Sequence, residues 1–182
     1  MTIKKVKKEV KKMLSPTRYK HSIMVANTAK KLAIHYQENK QDAYLAGLLH
    51  DIAKELEEEK LKYWIKKYHL PEELLKKENK NIIHADIGAV IAKEKYHVND
   101  NIYNAIKYHT IGNKNMNTLA KIIYLSDKIG RVNIPPFLRP VKELAYQNIN
   151  KALKYCLEQE EKYLKKKNIN MHKDTKELLE KL

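Results

Sequence analysis

The chain has 182 residues, 43% hydrophobic and 32% charged, with only four Gly and five Pro. That composition excludes disorder, collagen-like repeats and a turn-rich all-β sandwich, and fits a single helical domain with a real core. Lys and Arg number 37 against 22 Asp and Glu, a formal charge of +15 that favours anionic partners. The excess is almost all lysine, with arginine only at Arg18, Arg131 and Arg139, so a nucleic-acid reader built on bidentate arginine contacts is disfavoured. Cys156 is the single cysteine, which excludes an intrachain disulfide and a Cys-based zinc site and implies a reducing interior.

Ile3, Val6, Val10, Met13 and Leu14 fall at helical spacing with lysines between them. Residues 1–14 are therefore expected to form a basic amphipathic helix packed on the domain and ended by Ser15-Pro16. No apolar stretch follows its lysines, so it does not read as a secretory signal. A second helix begins near Pro16 and Thr17, buries Val25, Ala29, Leu32, Ala33 and Tyr36, and stops around residues 38–40. The third, from about Asp42 to Ala53, is apolar almost all round and belongs at the centre of a bundle. Its apolar run, Ala43 to Leu49, is far short of the roughly 20 residues that cross a bilayer.

Glu57 to Tyr68 is amphipathic again, with Leu61, Trp64, Ile65 and Tyr68 inward, and a short helix over Glu72 to Lys77 follows Leu70-Pro71. Further helices are expected over 83–95, 100–108 and 117–129. The last of these carries Leu119, Ile122, Ile123 and Leu125 and lies beside the third helix in the core. A loop containing Pro135, Pro136 and Pro140 precedes one long final helix from Val141 to about Lys166, and the closing stretch adds a turn of helix or frays. No strand is expected. The fold class is all-α, a single-domain helical bundle over residues 15–182 with the 1–14 helix packed on it, and the chain reads as cytoplasmic.

His50 and Asp51 stand next to each other in the most apolar predicted helix, where an unpaired carboxylate would cost several kcal/mol. Hydrogen bonds from neighbours could compensate them, and so could a divalent metal. The wider pattern favours the metal. His21, His84, His109 and Asp127 each stand on a different predicted helix or helix end, amid Ile, Leu, Ala and Tyr. Metal sites in bundles are built from such side chains converging from neighbouring helices. Imidazole with carboxylate suits iron, manganese or zinc. His35, His69, His97 and His172 sit on polar or amphipathic stretches and read as surface or helix-end residues. Lys54, three residues after Asp51, and Arg18, three before His21, are placed to face the mouth of such a site.

These residues sit in segments with a wider likeness: Arg18-Tyr19-Lys20-His21, Ala46 to Lys54 with the His50-Asp51 pair, His84 to Ala89, Tyr108-His109-Thr110-Ile111-Gly112, and Ile122 to Ile129 with Asp127. Together they resemble the HD-domain metal-dependent phosphohydrolases, and within them the YqeK-type group of symmetrical diadenosine tetraphosphate hydrolases. The likeness runs from about residue 15 to the C-terminus, including Asn170-Met171-His172 to Thr175. It implies a first metal held by His21, His50, Asp51 and Asp127, and a second held with His84 and His109. Asp51 would bridge the two ions and serve catalysis, and the ions would be iron, with manganese or zinc open on residue types alone.

Two ions about 3.5–4 Å apart would activate a water and neutralise phosphoryl charge. The implied substrate is a small anionic nucleotide, diadenosine tetraphosphate, cleaved to two ADP. Lys54 is expected to assist catalysis and, with Arg18, to bind phosphate; Thr110 and Gly112 are expected to contact substrate. One departure stands out: after Asp127-Lys128-Ile129 the group usually continues with Glu-Pro and then an Arg, whereas here Gly130-Arg131-Val132-Asn133 follows. Arg131 is read as the substitute for the displaced arginine. The alternatives are an HD phosphohydrolase for another nucleotide or an alarmone, or a nucleic-acid or ribosome-associated binding protein. Nucleic acid is disfavoured, no membrane partner is expected, and a homodimer is left open.

Overall fold

Capping side chains set where most helices begin. In the computed structural model, which describes residues 2–76, 79 and 81–182, Ser15 caps a helix that has Pro16 at its first position. Asn39, Asn99, Asn117 and Asn148 each accept backbone N–H groups at the start of another. These side chains satisfy donors that the first helical turn leaves open. The resulting order is α1 (Ile3–Met13), α2 (Pro16–His35), α3 (Lys40–Leu49), α4 (Glu58–Lys67), α5 (Ile83–Tyr96), α6 (Asp100–Lys107), α7 (Thr118–Ile129), α8 (Arg139–Gln147), α9 (Ile149–Lys166) and α10 (Lys173–Lys181). Short 3-10 turns lie at Glu72–Leu75 and Pro136–Leu138. No strand occurs among the described residues, and none of their helices is long and apolar enough to cross a membrane.

Helices α3 and α7 form the centre, as their all-round apolar character requires: Ala43, Ala46, Leu48 and Leu49 on α3 and Ile122, Ile123 and Leu125 on α7 are fully buried. Helix α2 crosses α3 so closely that a Cβ on Gly47 would lie 2.8 Å from the Ala26 Cα, so only glycine permits this approach. Helix α1 turns Val6 and Val10 inward and packs against α2 and α3.

Three expectations are corrected. First, α3 ends at Leu49 and the chain continues through successive turns over residues 50–55, so His50 and Asp51 sit at the end of a helix and not within one. Ile52 and Ala53 in those turns are as buried as helical core, which is why the apolar pattern gives no sign of the stop. Second, the single helix expected over 141–166 is two. Asn148 adopts an extended conformation (φ −159°, ψ 116°) and accepts from the N–H of Asn150 and Lys151, competing with helix continuation as asparagine does. Third, the closing stretch forms a true helix, α10, docked through Leu178 (2% exposed) and a 2.6 Å hydrogen bond from Thr175 Oγ1 to the Ile111 carbonyl. Of the short helix expected over 72–77, residues 72–75 form a 3-10 turn, and Lys77 lies outside the described residues.

Candidate metal centre and substrate pocket

The end of α3 delivers His50 and Asp51 to a point where α2, α5, α6 and α7 converge. The start of α2 is tied to the turns beyond Asp51 by Ser15, whose N–H and Oγ both donate to the Glu55 carboxylate at 2.7 Å. This link aligns Arg18 and His21, on the first turns of α2, with Asp51. Helix α5 contributes His84 from its first turn, the end of α6 contributes His109, and α7 contributes Asp127.

The side chains meet around Asp51, whose two oxygens face different partners. Oδ2 lies 3.9 Å from His21 Nε2 and 3.4 Å from His50 Nε2. Oδ1 lies 3.2 Å from His84 Nε2 and 3.7 Å from His109 Nε2. Asp127 Oδ1 approaches His21 Nε2 at 3.0 Å and His50 Nε2 at 3.7 Å. Two triads thus have ligand atoms close enough to share an ion, His21–His50–Asp51 and Asp51–His84–His109, with Asp51 common to both. His50, Asp51, His84 and His109 are buried and His21 is partly so.

Backbone contacts fix the outlook of two rings. His50 Nδ1 lies 2.7 Å from the Gly47 carbonyl and His109 Nδ1 lies 2.6 Å from that of Ile106. A carbonyl only accepts, so Nδ1–H donates in both and Nε2 faces the cluster, the arrangement that orients metal-binding imidazoles. Electrostatics agrees with a cation site. Burial alone would lower the His50 pKa, but the charge of Asp51 and the approach of Asp127 push it up to about 10. Burial would raise the Asp51 carboxyl, yet the charge of His50 and the close approach of the His109, His50 and His84 rings hold it well below the usual range. Asp127 is likewise held down against burial, mainly by His21 and His50. Burial lowers His84 to about 4, leaving it neutral and able to ligate at pH 7. His50 Nε2 is buried with no hydrogen-bond partner. A divalent cation seated among these donors would supply the charge that His50 otherwise carries as a proton, and would give that nitrogen a partner.

A pocket of about 300 Å³ opens on the cluster, lined by Arg18, Asp51, Lys54, Asn81, Ile82, His84, His109, Thr110, Asp127, Lys128 and Arg131. Arg18 Nη1 donates to Asp51 Oδ2 at 2.8 Å. Lys54 Nζ lies 3.2 Å from both the Asn81 carbonyl and His84 Nδ1, and burial lowers its pKa. Arg131 bonds the Asp127 backbone carbonyl through Nε at 3.0 Å and Asp127 Oδ1 through Nη2 at 3.2 Å, so it braces a member of the cluster as well as facing the pocket.

Gly112 is different. It is buried, does not line this pocket, and has φ +71° with Leu178 Cδ2 2.5 Å from where a Cβ would stand. Backbone conformation and the seat of α10 therefore explain the glycine. Lys128 was not singled out from the sequence, yet it lines the pocket and pairs with Glu160 on α9 at 2.9 Å. Its adjacency to Asp127 was the one available signal. His35, His69, His97 and His172 are exposed and none joins the cluster around Asp51: His172 caps α10 and lines the neighbouring cavity, and His69 and His97 sit at helix ends in the left-handed conformation.

Known proteins share this architecture. A family model described as HD domain matches residues 18–131. The chain is 35% identical over 91% of its length to a Bacillus subtilis protein named "Bis(5'-nucleosyl)-tetraphosphatase, symmetrical", covering 89% of that protein. It is 32% identical over 96% of its length to a Staphylococcus aureus protein of the same name, covering 91% of it. A crystal structure from Clostridium acetobutylicum, described as a predicted HD superfamily hydrolase involved in NAD metabolism, superposes with a TM-score of 0.91 at 31% identity, over 100% of this chain and 96% of that one. The matched segment begins at Arg18, ends at Arg131 and contains every residue of the cluster around Asp51; the chain belongs to the HD domain family.

Proposed function

We propose that this protein is a metal-dependent hydrolase that cleaves diadenosine tetraphosphate symmetrically into two ADP. The observation that carries the reading is Asp51, a buried carboxylate whose two oxygens face two separate pairs of imidazoles. In this reading His21, His50, Asp51 and Asp127 hold one ion, and Asp51, His84 and His109 hold a second. Nitrogen and carboxylate donors without thiolate suit iron, with manganese and zinc as competitors. Bound there, two ions supply an acidified water and charge neutralisation at the phosphoryl oxygens.

The remaining work falls to the pocket's own residues. The tetraphosphate chain brings about four negative charges, and cationic donors held in place before substrate arrives stabilise them most effectively. Arg18, Lys54 and Arg131 stand in the pocket wall. Arg18 uses one N–H on Asp51 and has others for phosphate. Lys54 leans on His84 and the Asn81 carbonyl and can exchange those contacts for a phosphoryl oxygen. Arg131 orients Asp127, and the Thr110 hydroxyl, buried without a hydrogen-bond partner, is available to substrate. No Ser or Cys nucleophile lines the pocket among the described residues, in keeping with attack by water. A nucleotide substrate and a lone buried thiol, Cys156, fit a cytoplasmic setting.

The test is product analysis after incubating metal-loaded protein with diadenosine tetraphosphate. Two ADP are expected. ATP with AMP would contradict symmetrical cleavage, and no product from any dinucleoside polyphosphate would remove the assignment.

A further inference from the structure

Beside the metal pocket lies a larger cavity, about 880 Å³, enclosed by α7, α9, the segment 169–172 and the loop after His109. The two share Asn81, Ile82, Thr110 and Lys128 as walls, so a ligand can run from one into the other. The metal pocket, at about 300 Å³, stands at the lower limit of the range of about 300–1,000 Å³ typical of small-molecule sites, whereas the larger cavity stands near its upper end and offers the space that a nucleoside needs in addition to a phosphate chain. We propose that one nucleoside of the substrate occupies this cavity, with its phosphates passing Lys128 into the metal pocket. The proposal rests on the hydrolase reading above and adds to it the place where the substrate's organic half is recognised.

The walls combine a fixed charge at the junction with apolar and polar groups farther in. At the junction, the Lys128 ammonium is held by Glu160 at 2.9 Å, and Glu160 is held in turn by the Tyr124 hydroxyl at 2.6 Å. A fixed cation therefore stands where ribose gives way to phosphate. The partnerless Thr110 hydroxyl lies at the same junction. Away from it Leu164, Ile169 and Met171 form an apolar side, and Asn170, His172 and Thr175 set polar groups beside them. Ile169 is 54% exposed. It is held at the rim because Asn168, in the left-handed conformation (φ 55°), turns the chain and lets the Ile169 N–H bond the Leu164 carbonyl at 3.0 Å, a Schellman-type helix end. A large apolar side chain pinned at the mouth of a cavity offers a flat base the contact it cannot find in water.

The experiment compares Leu164→Trp, which fills the cavity, and Ile169→Ser, which strips its rim, with the wild type, all metal-loaded and checked by thermal melting. Calorimetric titration with ADP and with inorganic pyrophosphate is read alongside KM for diadenosine tetraphosphate. ADP binding is expected to weaken, and KM to rise, about three- to tenfold in each variant, through the space taken by the indole in Leu164→Trp and through the loss of part of one apolar side-chain contact in Ile169→Ser. Pyrophosphate binding and kcat stay unchanged. ADP binding as tight as wild type in both variants, or ADP and pyrophosphate weakening together, overturns the proposal. A wild type that discriminates ADP through this cavity but cleaves no dinucleotide would overturn the hydrolase reading and leave the cavity assignment standing.

Discussion

Replacing Gly47 by alanine tests whether the α2–α3 crossing aligns the site. The new Cβ would lie 2.8 Å from the Ala26 Cα and 2.9 Å from its N, with the Val25 carbonyl carbon at 3.2 Å. All three are backbone atoms, so no rotamer change relieves the clash and α3 must retreat from α2. Overpacking of this kind costs about 1–3 kcal/mol, and the upper end applies where only backbone can yield. Replacing a helical glycine returns about 1 kcal/mol. The net loss is about 2 kcal/mol, a fall in Tm of about 4–8 °C for a chain of this size. Activity suffers more, because His50 hangs on the Gly47 carbonyl, and a displacement near 1 Å at reacting groups can cost about 100-fold in rate. Gly88 on α5 is the internal control: a Cβ there meets its nearest neighbours at 3.6 Å, so Gly88→Ala should raise stability by about 0.5–1 kcal/mol. Thermal melts and hydrolysis assays of both variants decide the matter. Shifts of the same sign in the two, or a Gly47→Ala protein with wild-type turnover, would refute the reasoning.

Arg18→Gln should raise KM about tenfold or more, the worth of one charge-assisted hydrogen bond, measured by steady-state hydrolysis; an unchanged KM would take Arg18 out of phosphate binding. Asn148→Ala removes the cap that starts α9 and should lower stability by about 1 kcal/mol, seen in urea unfolding. Tyr96, buried and near Glu9, has its pKa pushed up to about 12 from 10. The unfolded chain therefore loses that proton first, and the stability is complete below pH 10 and lost as pH rises through 12. The loss amounts to about 2–3 kcal/mol, and Tyr96→Phe should flatten the melting profile between pH 10 and 12.

Helix starts were legible because asparagine and serine caps announce themselves next to periodic apolar residues, as at Asn99 and Asn117. Stops were less so. A buried turn bears the same apolar pattern as a buried helix, so Ile52 and Ala53 masked the end of α3, and Asn148 interrupts an amphipathic pattern that continues on both sides. The members of the polar cluster could be picked out from their types in apolar surroundings. Which atoms approach which could not, because that depends on how α2, α3, α5, α6 and α7 pack. Nothing in the sequence separates Lys128 from the many other lysines, because its partner, Glu160 on α9, is brought beside it only by the packing. The type and position of Gly112 suggest a substrate contact, whereas its positive φ and the nearness of Leu178, neither legible in the sequence, account for a glycine there.

The most direct test of the account is the number of metal ions per chain in the loaded protein and in two variants. Because Asp51 offers one oxygen to each pair of imidazoles, the account predicts two ions in the wild type, one in His84→Ala, and none in Asp51→Ala, with folded protein in each case verified by melting. A wild type that takes up no ion, or an Asp51→Ala protein that keeps both, would contradict it.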